Sequence, residues 1–123
     1  MAGAVRKRFD RPDETREVPD GVMKGVDLAG SRVAKAMFQP GWRWSESVKP
    51  IVGGDMCQMH HVGYALSGRL HVVTTDGDEV DISGGDAYEV LPGHDAWVVG
   101  DQPFEGLEFD PRTVDGYAKP ESS

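Results

Sequence analysis

The amino-acid sequence predicts an all-β domain, a barrel or sandwich of short antiparallel strands. Sixteen glycines and eight prolines cut the 123 residues into short pieces. The pieces between them are rich in β-branched and aromatic residues, which suit a pleated, half-buried surface. No stretch holds helical periodicity long enough to form a sizeable helix.

Taken in order, residues 1–20 read as an N-terminal arm. Its basic cluster, Arg6, Lys7 and Arg8, is followed at once by Asp10, Asp13 and Glu14, as on a solvated segment. The strand-like pieces begin with KGVDLAG (24–30) and RVAKAMFQPGWRWSE (32–46). In the latter, Val33, Lys35 and Met37 oppose Ala34, Ala36 and Phe38, and Trp42 and Trp44 share one strand face. HHVGYAL (60–66) precedes RLHVVTT (69–75), where Leu70, Val72 and Thr74 alternate with His71, Val73 and Thr75. Asp76-Gly77 is a strong hairpin signal leading into DEVDISG (78–84). Gly84-Gly85-Asp86 and Pro92-Gly93 punctuate DAYEVLP (86–92) and DAWVVG (95–100). FEGLEFD (104–110) closes a domain over 21–110, and PRTVDGYAKPESS (111–123) reads as a flexible C-terminal tail.

Composition narrows the function. With 21 acidic against 13 basic residues the formal charge is −8, which disfavours nucleic acid as a partner. Cys57 is the single cysteine, so no intrachain disulfide forms, and a reducing compartment fits. No segment approaches the ~20 apolar residues of a transmembrane helix. MAGAVRKRFD places its apolar piece before its basic residues, the reverse of a secretory signal. The expectation is a cytoplasmic protein with neither membrane nor nucleic-acid partner. A GxSxG elbow and a Gly-rich phosphate loop are both missing from the sequence.

Residues 40–110 resemble a cupin, the small double-stranded β-helix or jelly-roll barrel. GYALSGRLHVV, the DG turn and SGGDAYEVLPGHDAWVV follow the order of the two cupin motifs with a short spacer. The first motif usually runs His, any residue, His, three or four residues, Glu, six residues, Gly. The second runs Gly, five residues, Pro, any residue, Gly, two residues, His, three residues, Asn. Anchored on Gly68, His61 occupies the glutamate slot, Cys57 the second-histidine slot and Asp55 the first. Anchored on Gly85 and Gly93, Leu91 stands at the usual proline, Ala96 in the histidine slot and Gly100 in the asparagine slot. His94 lies two residues from that empty fourth slot. The glycine framework matches the family while every ligand slot departs from it in residue type.

The resemblance implies a small-molecule site inside a barrel that commonly pairs as a homodimer, with a divalent metal held by Cys57, His61 and His94 and Asp55 in reserve. Such a donor set suits Zn²⁺ or Fe²⁺ better than Mg²⁺ or Ca²⁺. Each residue has a plainer reading: His61 as a buried hydrogen-bonded histidine, Cys57 as a small hydrophobe, Asp55 as a turn residue after Gly53-Gly54. Adjacent strand residues point to opposite faces, so His60 and His61 cannot both enter a regular barrel. The slots send His61 inward. The apolar parity of Val62, Tyr64 and Leu66 argues for His60 instead, unless Gly63 hosts a bulge. Trp42, Trp44 and Trp97, with Tyr64 and Tyr88, form either a cap and interface or an aromatic wall for a ligand. Glu46 and Glu89 are candidate general bases if buried, and His71 reads as a surface residue. Three readings remain: a metal-dependent enzyme of oxygenase or isomerase/hydrolase type, a metal-free ligand-binding or sensory module, or a purely structural dimer with a filled interior.

Overall fold

The structure, a computed structural model, describes residues 3–109. Among these residues nine strands form two sheets. They are β1 (Glu14–Val18), β2 (Gly21–Asp27), β3 (Arg32–Phe38), β4 (His61–Ser67), β5 (Arg69–Thr74), β6 (Glu79–Ser83), β7 (Ala87–Val90), β8 (His94–Val98) and β9 (Phe104–Phe109). The larger sheet has the order β1-β2-β3-β9-β4-β7 and the smaller β6-β5-β8, with all pairings antiparallel. This is the two-sheet jelly-roll barrel that the alternation and the turn signals predict. Among the described residues no helix is long and apolar enough to cross a membrane.

Two segments differ from expectation. Residues 14–18, within the predicted arm, form β1 and pair with β2 from Glu14–Gly25 to Val18–Gly21. ETREV carries little apolar signal because it is an edge strand whose central residues are exposed. The second is RVAKAMFQPGWRWSE, in which the strand stops at Phe38. Trp44–Val48 then form a π-helical turn that runs into α1 (Lys49–Val52). Asp95 anchors that turn, its carboxylate accepting from Ser45 N at 3.1 Å and facing the Arg43 guanidinium at 3.5 Å. Segments this short are too brief to show a helical period. The predicted tail, 111–123, lies outside the described residues.

Both sheets fill the interior. Leu70, Val72, Ile82, Ala96 and Val98 from the smaller sheet meet Ala65, Val90 and Phe104 from the larger, with Trp42 and Trp44 also buried. Phe38 stacks on Trp42 with ring centroids 3.9 Å apart and planes 5° apart, closing one end of the barrel. Burying side chains of this size stabilises the fold by about 1.5–3 kcal/mol each.

Gly68 turns β4 into β5 with φ of +81°. A Cβ there would stand 2.7 Å from Phe104 Cα and 2.8 Å from the Pro103 carbonyl carbon, both backbone atoms that cannot swing aside. Gly68→Ala is expected to destabilise the protein by roughly 2–4 kcal/mol, adding left-handed backbone strain to a steric clash. A urea melt whose midpoint matches the parent would contradict this.

Candidate metal centre

The mouth of the barrel opposite the Phe38–Trp42 stack gathers the chemistry. His61 begins β4 and His94 begins β8, so the two histidines stand on different sheets. Cys57 joins them, because its short antiparallel bridge to His94 ties the incoming loop to β8. Cys57 N donates to His94 O at 2.7 Å, and Gly93 N donates to Cys57 O at 2.7 Å. The strand-facing rule then directs each side chain inward. On β8, His94, Ala96 and Val98 are buried while Asp95 and Trp97 face out. On β4, the inward residues are His61, Gly63 and Ala65.

The ligand atoms of Cys57, His61 and His94 all lie within 4.8 Å of one another. Cys57 Sγ is 3.7 Å from His61 Nε2, and the two imidazole centroids are 5.0 Å apart at 69°. Each histidine is oriented through its other nitrogen. His61 Nδ1 donates to Glu108 Oε1 at 2.7 Å, and His94 Nδ1 donates to the Leu91 carbonyl at 2.8 Å. Both Nε2 atoms are thereby left for the interior. That outer support is what a metal-binding histidine needs to fix its tautomer and raise its basicity.

Glu108 is itself held by a second donor, the Tyr88 hydroxyl at 2.9 Å. The phenol lies over Gly63, where a Cβ would come within 2.6 Å of Tyr88 Oη, so only glycine fits between them. Burial pushes the Glu108 carboxyl up, but hydrogen bonds from His61 and Tyr88 outweigh this and keep it below the usual range. Burial, reinforced by the Glu108 charge, raises Tyr88 far above an ordinary tyrosine, so it remains a donor. Burial likewise pushes the Cys57 thiol up, yet hydrogen bonding to His61 and His94 more than offsets it and brings it down to about 6. His61 moves the other way. Burial lowers it, but contact with Cys57 and Glu108 carries it well above the imidazole range. The two opposite shifts have one cause, the Cys57–His61 contact, in which each group favours the charged form of the other.

These placements sort the sequence-predicted residues. The structure brings Cys57, His61 and His94 together. It does not bring Asp55 to them, whose side chain is fully exposed and faces Lys49 Nζ at 3.9 Å. His60 points out and pairs with Glu89 at 2.8 Å, which also removes the exposed Glu89 from the interior. β4 pairs regularly with β7 from His61 to Tyr64, so no bulge at Gly63 is needed. The apolar parity of Val62, Tyr64 and Leu66 simply faces outward, and Tyr64 lies outside the cup. Trp97 is also on an outer face, lying between the Arg43 guanidinium at 4.0 Å and the His71 ring at 4.9 Å. His71 is half-buried, with Asp81 and Glu79 at its two nitrogens at 2.7 and 2.8 Å. Glu46 is exposed on the π-helical turn, whereas Trp42 and Trp44 belong to the core and Tyr88 reaches the site through Glu108. Glu108 was missed, although FEGLEFD offers a signal. With Phe104 and Gly106 inward, its parity puts a carboxylate inside the barrel.

No family model matches the sequence, and no curated protein matches it in sequence. Solved structures do match. Ectoine synthase from P. lautus superposes with a TM-score of 0.64 at 12% identity, covering 91% of this chain and 85% of that one. KdgF from Halomonas sp. gives 0.55 at 21% identity over 83% and 91%, and a cupin-like protein from Thermotoga maritima 0.51 at 13% over 73% and 67%. At these identities the likeness is one of architecture. The chain has the cupin fold, with a Cys-His-His cluster at the barrel mouth that could hold a metal ion.

Replacing Glu108 by Gln removes the charge that supports His61 while keeping the shape. Zn²⁺ affinity, measured by competition with a chromophoric chelator, is expected to fall roughly 10- to 100-fold in Glu108→Gln. An unchanged affinity would show that this carboxylate does not support a ligand.

Proposed function

We propose that this chain is a small-molecule cupin that holds one divalent metal through Cys57, His61 and His94 and acts as a metal-dependent enzyme of the isomerase/hydrolase or oxygenase type. The observation that carries the reading is the convergence of three donor atoms with both histidine Nδ1 atoms already engaged elsewhere. A thiolate and two imidazoles suit Zn²⁺ best and Fe²⁺ next, and three protein ligands leave a coordination position for water or substrate. A metal there supplies Lewis-acid polarisation and an acidified water. The chain's own contribution is to hold His61 through Glu108, to keep Tyr88 protonated behind it, and to exclude water below the cluster with the packed core. Cys57, His61 and His94 would hold the ion in their deprotonated forms, so its uptake would weaken as pH falls. A thiol kept reduced fits the cytoplasm.

Pure protein without an affinity tag is expected to take up about one Co²⁺ per chain. Its thiolate-to-cobalt charge-transfer band should vanish in Cys57→Ser, and uptake should be lost in His61→Ala and His94→Ala. A parent protein that binds no metal yet gains thermal stability with a metabolite would establish the metal-free binding module instead. A histidine variant that binds Co²⁺ like the parent would remove that histidine from the site.

The protein is further proposed to form a homodimer through the outer face of the six-stranded sheet. Tyr64 (42% exposed), Leu66 (42%) and Phe109 (41%) stand there beside Val62 and Leu107, an apolar patch that soluble monomers seldom leave open. Lys24 and Lys35 flank it on one side and Glu89 on the other, so a two-fold arrangement can oppose unlike charges. Light scattering should give a dimer for the parent and a monomer for Tyr64→Glu; a monomeric parent would refute the interface.

A further inference from the structure

The donors at the mouth are two imidazoles and one cysteine sulfur, and they stand in an apolar setting. Among the described residues Cys57, His61 and His94 are the only such donors that converge, and no carboxylate joins them. Glu108 and Asp55 are turned to other partners. One inward step along the strands from His61 and His94 come Gly63 and Ala96, and beyond them Ala65 and Val98. Nothing below the cluster can therefore supply a fourth ligand. Cys57 and His94 are 5% and 4% exposed, whereas the His61 side chain keeps 22%. Each donor is fixed from behind, the imidazoles through Nδ1 and Cys57 by its backbone bridge to His94. The sulfur also accepts a hydrogen bond from the Met59 backbone N–H.

From this donor set, and resting on the metal reading above for the convergence itself, we infer that the same three residues also hold copper, as a trigonal His₂Cys centre that carries single electrons. Zn²⁺ bound here needs a fourth ligand, which has to come from water or substrate. Copper does not: two imidazoles and a thiolate in one plane are the strong ligands of electron-transfer copper sites. The 3.7 Å between Cys57 Sγ and His61 Nε2 is close to what two metal bonds of roughly 2.0–2.3 Å span when they meet at about 120°. Of the divalent ions, copper also binds a given nitrogen and sulfur site more tightly than zinc. A hydrogen bond to the sulfur and an apolar shell are the features that tune the potential of such a site. Ligands already held by other partners need not rearrange between Cu⁺ and Cu²⁺. In the step Cu⁺ gives one electron to a one-electron acceptor and becomes Cu²⁺, with no covalent bond broken and no proton moved. A one-electron donor reverses it. The partly exposed edge of His61 is where the electron crosses.

The test loads untagged protein anaerobically with an equivalent of Cu⁺ and oxidises it with ferricyanide. An intense blue thiolate-to-copper charge-transfer band should appear, with narrow copper hyperfine splitting in the EPR spectrum. Ascorbate should bleach the band and ferricyanide restore it, with about one electron per chain each way and the copper retained. Cys57→Ser should abolish the blue band while its circular dichroism stays that of the parent. His61→Gly should also lose it, and free imidazole, entering at the partly exposed position, should bring it back. Copper bound without the blue band, copper lost on a redox cycle, or a blue band that survives in Cys57→Ser overturns the inference. Co²⁺ uptake by the same protein then leaves the metal reading standing. A protein that takes up neither Co²⁺ nor copper overturns both.

Discussion

A carboxylate turned into a β-barrel, with only 18% of its side chain exposed, is the constraint around which the mouth of this protein is arranged. Taking Glu108 out of water costs several kcal/mol, and only well-formed charge-assisted hydrogen bonds repay that cost. Two donors do so, His61 Nδ1 and the Tyr88 hydroxyl, from the two strands next in order in the sheet. Tyr88 can reach Glu108 only by lying across β4, which requires glycine at 63. His61, once committed to Glu108 through Nδ1, must offer Nε2 to the interior. One buried charge therefore fixes a tautomer, a rotamer and a glycine.

The other half of the site comes from the opposite sheet, and a single backbone bridge delivers it. Cys57 has no strand of its own; two 2.7 Å backbone hydrogen bonds with Gly93 and His94 carry it to the head of β8. The thiol then meets two imidazoles, and the low polarity around them strengthens each interaction. Burial works against both charged forms, but contact with His61 draws the Cys57 thiol down and contact with Cys57 and Glu108 draws His61 up. With both Nδ1 atoms engaged elsewhere, the three donor atoms are left within 4.8 Å of one another.

Much of this was legible in the sequence, and the failures share a physical origin. Alternation in RLHVV, the Asp-Gly turn and the glycine framework identified the barrel, because a strand's period and a turn's backbone demands are local properties. Cys57, His61 and His94 were found through their spacing from those glycines. Parity alone pointed the wrong way for His61, since a sheet whose outer face is also apolar shows no hydrophobic side from which to judge. For the same reason Tyr64 was credited to the cup. Glu108 was overlooked because a charged residue in a strand ordinarily faces water, although it shares the parity of the buried Phe104 and Gly106. β1 was missed because edge strands are made polar to avoid unwanted pairing.

The packed interior limits where selectivity can arise. Beneath the cluster, Val72, Phe104 and Ala65 are almost completely buried and the Phe38–Trp42 stack seals the far end, so a ligand cannot pass deep into the barrel. Whatever binds is met at the mouth, by the groups that stand behind Cys57, His61 and His94 there. Glu108 fixes His61, Tyr88 fixes Glu108, and the Leu91 carbonyl fixes His94, so the direction of each donor is set by strand register and by one backbone turn.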